Sequence, residues 1–317
     1  IALCYTRSSL VLEIEAGYRV FIPLTSIRGS ENFGGSMASN FPDQAQIVII
    51  GGGVVGCSVA YHLAELGVSD VVLLERKALT SGTTWHAAGL VGQLRATQNL
   101  TRLAQYTTNL YAELEELTGQ ATGFRQNGSL SLATDEERFE ELRRGASMAS
   151  CFGLDVEVVS PKEALELYPI MSTENLVGAV FLPRDGQTNP TDTTQALARG
   201  ARDKGVRIFE GVSVESFEKC DGRISAVVTN RGRIACETAV NCAGMWGREL
   251  GLKAGVSVPL HAAEHFYVVT EPIPDLPRDL FERNGRRGGP TTAKKKKDDE
   301  VDLPHLFPQT KPRKNTI

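Results

Sequence analysis

The clearest pattern along the chain is a pair of short, wholly apolar runs flanking a helix-like stretch. Ile47-Val-Ile-Ile50 and Val71-Val-Leu-Leu74 contain no polar position, as strands buried on both faces of a parallel sheet require. Glycines follow the first run and lead into Val55–Leu66, so the whole reads as a βαβ unit. Further on, Leu103, Tyr106, Leu110, Leu114 and Leu117 recur at helical spacing and stop at Gly119. Thr134 with Glu137, and Ser160 with Pro161 and Glu163, predict capping boxes that open two more helices. Thr194–Lys204 predicts another, closed by Gly205. Arg207–Val214, Arg223–Thr229 and Arg233–Cys236 are separated by tight-turn residues and predict a strand meander. Ala239–Ala243 then predicts one more strand, ending at Gly244. The class is α/β with an interleaved antiparallel sheet.

The ends differ from this middle. Residues 1–44 show no sustained period and finish in the turn-forming run Arg28–Ser36, so an irregular segment is expected there. The chain starts at Ile1 instead of methionine, which reads as a missing true N-terminus or an irregular gene assignment; Glu13, Glu15 and the scarcity of arginine argue against a transit peptide. From Asn284 onward the chain is rich in Gly, Pro and Lys, with Lys294–Lys297 running into acidic residues, a composition expected to stay disordered. The expected organisation is therefore an unassigned 1–44, a folded α/β domain over 45–283 and a tail over 284–317.

Composition narrows the partners. Lys and Arg total 34 against 38 Asp and Glu, a net charge of −4, which argues against nucleic acid held on a basic surface. No stretch is long and apolar enough to span a membrane, Leu10–Leu24 being broken by Glu13, Glu15 and Arg19. The six cysteines show no paired spacing and read as reduced thiols, with no metal site.

The first candidate site is Gly51-Gly-Gly-Val-Val-Gly56, a GxGxxG of Gly51, Gly53 and Gly56 around Val54 and Val55. Gly51 suits the tight turn off the strand, Gly53 the approach of a pyrophosphate, and Gly56 close packing of the helix on the sheet. Glu75 follows at the end of the second strand, placed to accept hydrogen bonds from a ribose. The carboxylate disfavours a 2′-phosphate and hence NADP, leaving NAD and FAD open. After Arg76 comes a loop of small and hydroxyl residues, Gly82-Thr83-Thr84-Trp85-His86-Ala87-Ala88-Gly89-Leu90, suited to wrapping phosphates and a ring.

Ile47–Gly56, Val71–Arg76 and Ser81–Gly89 together resemble the flavin-binding portion of the dimethylglycine and sarcosine dehydrogenase family, FAD-dependent amine oxidoreductases of the glycine-oxidase (DAO-like) fold. The resemblance continues through Glu113–Gly119, Asn127-Gly-Ser129, Asp185-Gly186, Asn189-Pro190 and Val240–Trp246, covering about Ala45–Pro274. It implies an FAD joined covalently to His86 through the flavin 8α position. It also implies phosphate contacts at Gly51–Gly56, adenosine contacts at Glu75 and Arg76, and a ring and pyrophosphate lining from Gly82 to Leu90. A backbone contact to adenine falls at Val214, and a second flavin-facing turn at Ala243, Gly244 and Trp246. A similar H-x-Y pair in the family nominates His265 and Tyr267, on one face of an expected strand, for substrate positioning or proton handling. His62 and His261 are expected to be structural.

The reaction so implied is oxidative N-demethylation of a small N-methylated amino acid such as dimethylglycine or sarcosine, with electrons passed to an acceptor of unspecified identity. The location implied is the mitochondrial matrix in a eukaryote or the cytoplasm in a bacterium. The resemblance stops near Pro277, so the Rossmann-type FAD-dependent oxidoreductase domain it implies over 45–283 is expected to be incomplete at its C-terminal end, as in a fragment, a misjoined gene product or an inactive truncated product. Two other classes compete. One is a non-catalytic relative resembling the regulatory subunit of pyruvate dehydrogenase phosphatase, which fits Leu260–Tyr267 but lacks the histidine retained here in Thr84-Trp-His86. The other is an NAD-dependent dehydrogenase, favoured by the bare glycine motif.

Overall fold

The computed structural model describes residues 2–6, 9–14, 18–23, 41–68 and 70–266. The chain divides into two compact units, one of residues 1–34 with 288–317 and one of residues 35–287. In the first unit, β1 (Ala2–Thr6), β2 (Ser9–Ile14) and β3 (Tyr18–Pro23) form an antiparallel meander. Within residues 2–23 strands thus stand where an irregular segment was expected, and residues 24–40 lie outside the described residues. The runs Leu10–Leu12 and Val20–Ile22 are rich in β-branched and aromatic residues and are long enough to pair, although no period extends across the turns.

In the second unit the predicted βαβ unit is present as β4 (Gln44–Ile50), α1 (Val54–Glu65) and β5 (Val71–Leu74). Val48, Ile49 and Val71–Leu74 are almost wholly buried, each side chain contributing about 1.5–3 kcal/mol by leaving water. These strands sit in a six-stranded sheet of order β11-β5-β4-β14-β13-β12, the other four being β11 (Arg207–Phe209), β12 (Val214–Cys220), β13 (Arg223–Thr229) and β14 (Gly232–Asn241). β11, β5, β4 and β14 run parallel, whereas β14, β13 and β12 form the antiparallel meander.

Two strand expectations are corrected here. Arg207–Phe209 leaves the meander to pair parallel with β5, because Glu75 N–H donates to the Phe209 carbonyl and draws it to that edge. Arg233–Cys236 and Ala239–Ala243 are one strand: Glu237 points to solvent between buried Cys236 and Val240, so the polar middle continues an alternation and does not break it.

Between β5 and β11 the chain forms β6 (Leu90–Val91), α2 (Gln98–Thr118), β7 (Ser129–Ala133), α3 (Glu136–Cys151), β8 (Glu157–Val159), α4 (Pro161–Leu167), β9 (Gly178–Leu182), β10 (Gly186–Gln187) and α5 (Pro190–Asp203). β7, β9 and β8 are the interleaved antiparallel sheet, and β10 pairs with β6. α2 ends at Gly119 with φ +64, as predicted, but the face it buries carries Thr101, Thr108 and Thr118 with Leu114, while Leu117 is exposed. The buried threonines tolerate this because Thr108 and Thr118 each donate back to the carbonyl four residues earlier.

Asp135, not Thr134, caps α3, since its carboxylate accepts Arg138 N–H and the first turn starts one residue later. Ser160 and Glu163 form the capping box expected at α4. α5 starts earlier than expected, at Pro190, with Asn189 as its cap. The body continues with α6 (Gly247–Lys253). Residues 256–266 form no strand, so the strand expected to carry His265 is absent as far as residue 266; no described residue offers that segment a ladder. Tyr267 and the tail expected to be disordered lie outside the described residues.

Candidate functional site

The carboxyl ends of β4 and β14 lie side by side at the point where the sheet's connections reverse direction, the crevice where open α/β sheets bind ligands. Cys242 N–H donates to the Ile50 carbonyl and Gly51 N–H to the Leu74 carbonyl, both at 2.8 Å. Gly51 leaves the strand at φ +115, and a Cβ there would stand 2.3 Å from the Cys242 carbonyl oxygen. A Cβ on Gly56 would stand 1.8 Å from the Gly51 carbonyl oxygen, so the first turn of α1 rests directly on the loop.

α1 has Gly53 as its N-cap, which brings no capping side chain, and has no acidic residue in its first turn. Its opening N–H groups therefore carry the positive end of the helix dipole into the crevice. One of them is answered from outside the helix: Val54 N–H donates to Thr84 Oγ1 at 3.0 Å. A Cβ on Gly53 would stand 2.9 Å from that oxygen. The uncapped start, the absence of acids and the missing Cβ atoms fit the pyrophosphate of a dinucleotide.

Glu75 closes the far side. Its Oε2 accepts Gly52 N–H at 2.7 Å and its Oε1 accepts Lys77 N–H at 2.9 Å, which fixes the carboxylate at the end of β5. A carboxylate has about four acceptor directions, so two remain for ribose hydroxyls. Its main chain is held by Phe209 and Val212. Val214 lies two residues beyond that contact, pairs with Thr229, and gives its carbonyl to Lys253 Nζ at 3.1 Å.

The loop after β5 folds back over the glycines. Thr80 N–H donates to the Gly52 carbonyl, and Leu79 N–H to the Glu210 carboxylate. Thr84–His86 is a single 3₁₀ turn. Thr84 is buried, whereas Trp85, His86, Ala87, Ala88 and Leu90 face solvent, with Leu90 81% exposed. The Trp85 and His86 rings lie 3.7 Å apart, centroid to centroid, and tilted by 35°. Gly89 is buried, its carbonyl accepting Thr188 N–H at 2.8 Å.

The turn after β14 completes the rim. Asn241 shapes it, its Oδ1 accepting Ala243 N–H and its Nδ2 donating to the Gly247 carbonyl. Gly244–Trp246 is a second 3₁₀ turn, and the Arg76 guanidinium carbon sits 3.9 Å from the Trp246 ring centroid. Gly82 packs on the same ring, where its Cβ would stand 3.4 Å away. Trp246 is therefore a half-buried wall of the crevice.

The structure thus brings together Gly51, Gly53, Val54, Val55, Gly56, Glu75, Arg76, Gly82–Leu90, Ala243, Gly244 and Trp246. It does not bring His265 to them through a strand; His265 is exposed on an irregular segment, as is His261. His62 is structural, as expected: its ring is within 2.7 Å of the Ser58 carbonyl and 3.0 Å of the Tyr106 hydroxyl, tying α1 to α2, and burial lowers its pKa. Glu210 and Asn241 shape the site and were not foreseen; only the polar ending of an otherwise apolar strand pointed to Asn241. Among the described residues Cys57, Cys151, Cys220, Cys236 and Cys242 are free, and no cluster could hold a metal ion. Burial pushes Cys57 and Cys242, which flank the loop, up to about 12, so they are neutral thiols. Among the described residues no helix is long and apolar enough to cross a membrane.

Comparison with known proteins supplies the remaining finding. The DAO profile, described as FAD dependent oxidoreductase, matches residues 46–297. Human mitochondrial sarcosine dehydrogenase is 44% identical over 238 residues, 73% of this chain and 26% of that protein. The mitochondrial pyruvate dehydrogenase phosphatase regulatory subunit of Mus musculus is 40% identical over 250 residues, 78% of this chain and 28% of that protein. The chain thus spans a little over a quarter of the length of these curated relatives. The crystal structure of L-proline dehydrogenase from P. horikoshii superposes with a TM-score of 0.65 at 29% identity, covering 68% of this chain and 57% of that one.

Proposed function

The chain belongs to the DAO family of FAD dependent oxidoreductases, and from that premise we propose that it carries FAD joined covalently to His86 and oxidises the N-methyl group of a small amino acid such as sarcosine or dimethylglycine. FAD, when bound, supplies the acceptor for the hydrogen and electron pair taken from the methyl C–H bond. The start of α1 and the Thr84 hydroxyl hold the pyrophosphate, and Glu75 orients the ribose through its remaining acceptor directions. Leu90, Ala87 and Ala88 offer apolar surface to the ring, and Ala243 and Gly244 a second small-residue turn. Val214 provides a main-chain contact to adenine. His265 and Tyr267 position the substrate or handle its proton. The electrons leave to an external acceptor, and the relatives' mitochondrial names favour the mitochondrial matrix, or the cytoplasm if the source is bacterial.

The observation that carries this reading is the bond between Thr84 and Val54. It fixes the turn bearing His86 against the helix that receives the pyrophosphate, so an exposed imidazole stands beside the dinucleotide crevice. His86 would be the residue that holds FAD covalently, through a ring nitrogen at the flavin 8α position. The test is acid precipitation of the washed protein followed by mass analysis of the peptide containing His86. Yellow colour that stays with the pellet, an added flavin mass on that peptide, and loss of both in His86→Ala are expected. A variant that keeps its flavin through denaturation would exclude His86 as the attachment point.

A second reading, that the chain is a non-catalytic relative, draws on its 40% identity to the phosphatase regulatory subunit. It predicts a protein that is not reduced by any N-methyl amino acid.

A further inference from the structure

Asp185 is the single buried acid among the described residues, 5% exposed, at the end of the turn that leads into β10. A carboxylate out of water is costly unless donors surround it. Here its Oδ1 accepts Gln93 N–H at 2.9 Å and its Oδ2 accepts the Ser129 hydroxyl at 2.7 Å, while Arg95 adds a favourable charge. A Cβ on Gly92 would stand 3.4 Å from Oδ2 and 3.5 Å from Arg95 Nη1, so the bare Gly92 main chain lies against both groups. The main chain of Asp185 is fixed as well, its carbonyl accepting Gly128 N–H at 2.9 Å.

These contacts join two parts of the molecule. Gln93 belongs to the leg that leaves the His86 turn. That leg is stitched to the segment following Asp185 by Thr188 N–H on the Gly89 carbonyl and by pairing of Leu90 and Val91 with Gln187 and Gly186. Ser129 begins β7, the first strand of the interleaved antiparallel sheet. One carboxylate thus spans from the cofactor-facing loop to that sheet, and Leu90 is left facing solvent three residues before Gln93.

We propose that Asp185 is a positioning residue whose carboxylate sets the register between the loop that faces the flavin and the antiparallel sheet, and so sets where the His86 turn stands for cofactor attachment. The proposal rests on the reading of His86 given above. It requires no contact between Asp185 and the cofactor. Asn at this position keeps an acceptor for Gln93 N–H and presents an amide to the Ser129 oxygen, whereas Leu has similar bulk and leaves both donors unanswered.

The test compares the full chain with its Asp185→Asn, Asp185→Leu and Ser129→Ala variants, and with Leu114→Ala as a control that loosens the fold elsewhere. Three quantities are read: the rate of flavin attachment at saturating FAD, amide exchange of the peptide spanning 87–95 in the cofactor-free protein, and the melting temperature. In Asp185→Leu, exchange across 87–95 is expected to quicken and attachment to slow by about tenfold or more, the effect of leaving a buried donor unsatisfied. Asp185→Asn should stay within about threefold of the parent in both, because the hydrogen bonds survive. Leu114→Ala should lower the melting temperature while attaching flavin at the parent rate.

Parent-like attachment and exchange in Asp185→Leu overturn the proposal, and so does a Leu114→Ala variant that attaches as slowly as Asp185→Leu. Should Asp185→Leu fail to fold, Ser129→Ala removes one arm alone; unchanged exchange across 87–95 and unchanged attachment then overturn it. A parent protein that attaches no flavin at all refutes the reading of His86. In that case the Asp185 claim is judged on exchange and on non-covalent FAD affinity across the same variants.

Discussion

Gly56→Ala and Gly53→Ala differ by one methyl group at two positions of a single motif, yet the structure assigns them opposite outcomes. At Gly56 the new methyl meets main chain, 1.8 Å from the Gly51 carbonyl oxygen and 3.0 Å from the Gly51 carbonyl carbon. Neither atom can rotate away, and Gly51 is held by its bond to Leu74 and its close approach to Cys242. Relief requires α1 and the loop to separate, an overpacking strain of about 3 kcal/mol. Helical propensity returns about 1 kcal/mol, leaving a net loss of about 2 kcal/mol. For a body of this size that lowers the melting temperature by about 4–8 °C. At Gly53 the methyl meets only the Thr84 hydroxyl, 2.9 Å away. That side chain can turn, losing one hydrogen bond worth about 1 kcal/mol, and the lasting effect is a methyl on the floor of the phosphate crevice. Thermal melts of the cofactor-free proteins, followed by FAD titration, separate the two. Gly56→Ala should melt early; Gly53→Ala should melt near the parent and bind FAD about tenfold or more weakly, as a blocked close approach implies. A Gly56→Ala protein melting within about 2 °C of the parent refutes the packing argument. Undiminished FAD affinity in Gly53→Ala refutes the phosphate-loop assignment.

Three further outcomes follow from particular contacts. Thr84→Val removes the acceptor for Val54 N–H and should lower stability by about 1 kcal/mol, with Thr84→Ser restoring it in a urea melt; equal melts for Val and Ser contradict the cross-loop cap. His62 is kept neutral by burial, its pKa lowered from 6.5. The unfolded chain therefore binds more protons below about pH 6.5, so stability falls as pH drops through that value toward the folded-state pKa. Melting temperatures read from pH 8 to pH 5 should show this decline, and His62→Gln should flatten it; an unaltered slope refutes the assignment. His86→Ala should lose acid-stable flavin while its cofactor-free melting temperature stays within about 2 °C of the parent, because the imidazole is solvent-facing.

What could be read from the sequence was local. The βαβ unit announces itself because two apolar runs, a glycine loop and a helix fall within one short span, and their contacts are between neighbours in that span. Gly119 stopping α2 and the box of Ser160 with Glu163 are legible for the same reason. What escaped depends on partners far away along the chain. Nothing in Arg207–Phe209 says that its neighbour is β5 and not the meander that follows. The Glu237 side chain reads as an interruption until the burial of Cys236 and Val240 shows which face it occupies. Asp135 and Thr134 are both competent caps, and which one serves is decided by where the first turn of α3 starts. At the site, spacing found Gly53 and the hydroxyl-rich loop with its family resemblance found Thr84, but neither showed that one lacks a side chain where the other's hydroxyl stands.

Arg76 shows how magnitude can reconcile an assignment with the geometry. The family resemblance gives it to adenosine, while the structure places its guanidinium over Trp246. That contact bridges the end of β5 to the turn after β14, across the end of β4 that lies between them. Arg76 is exposed, and an exposed cation–π pair is worth about 0.5–1 kcal/mol. A single charge-assisted hydrogen bond from a guanidinium is worth about 1.5–3 kcal/mol. A dinucleotide offering such an acceptor can therefore draw Arg76 from the ring without straining the fold, because Gly82 still packs on the ring of Trp246. Under the proposed function the two roles become successive states of one side chain: a brace on the Trp246 ring when the crevice is free, and a ligand contact when it is filled.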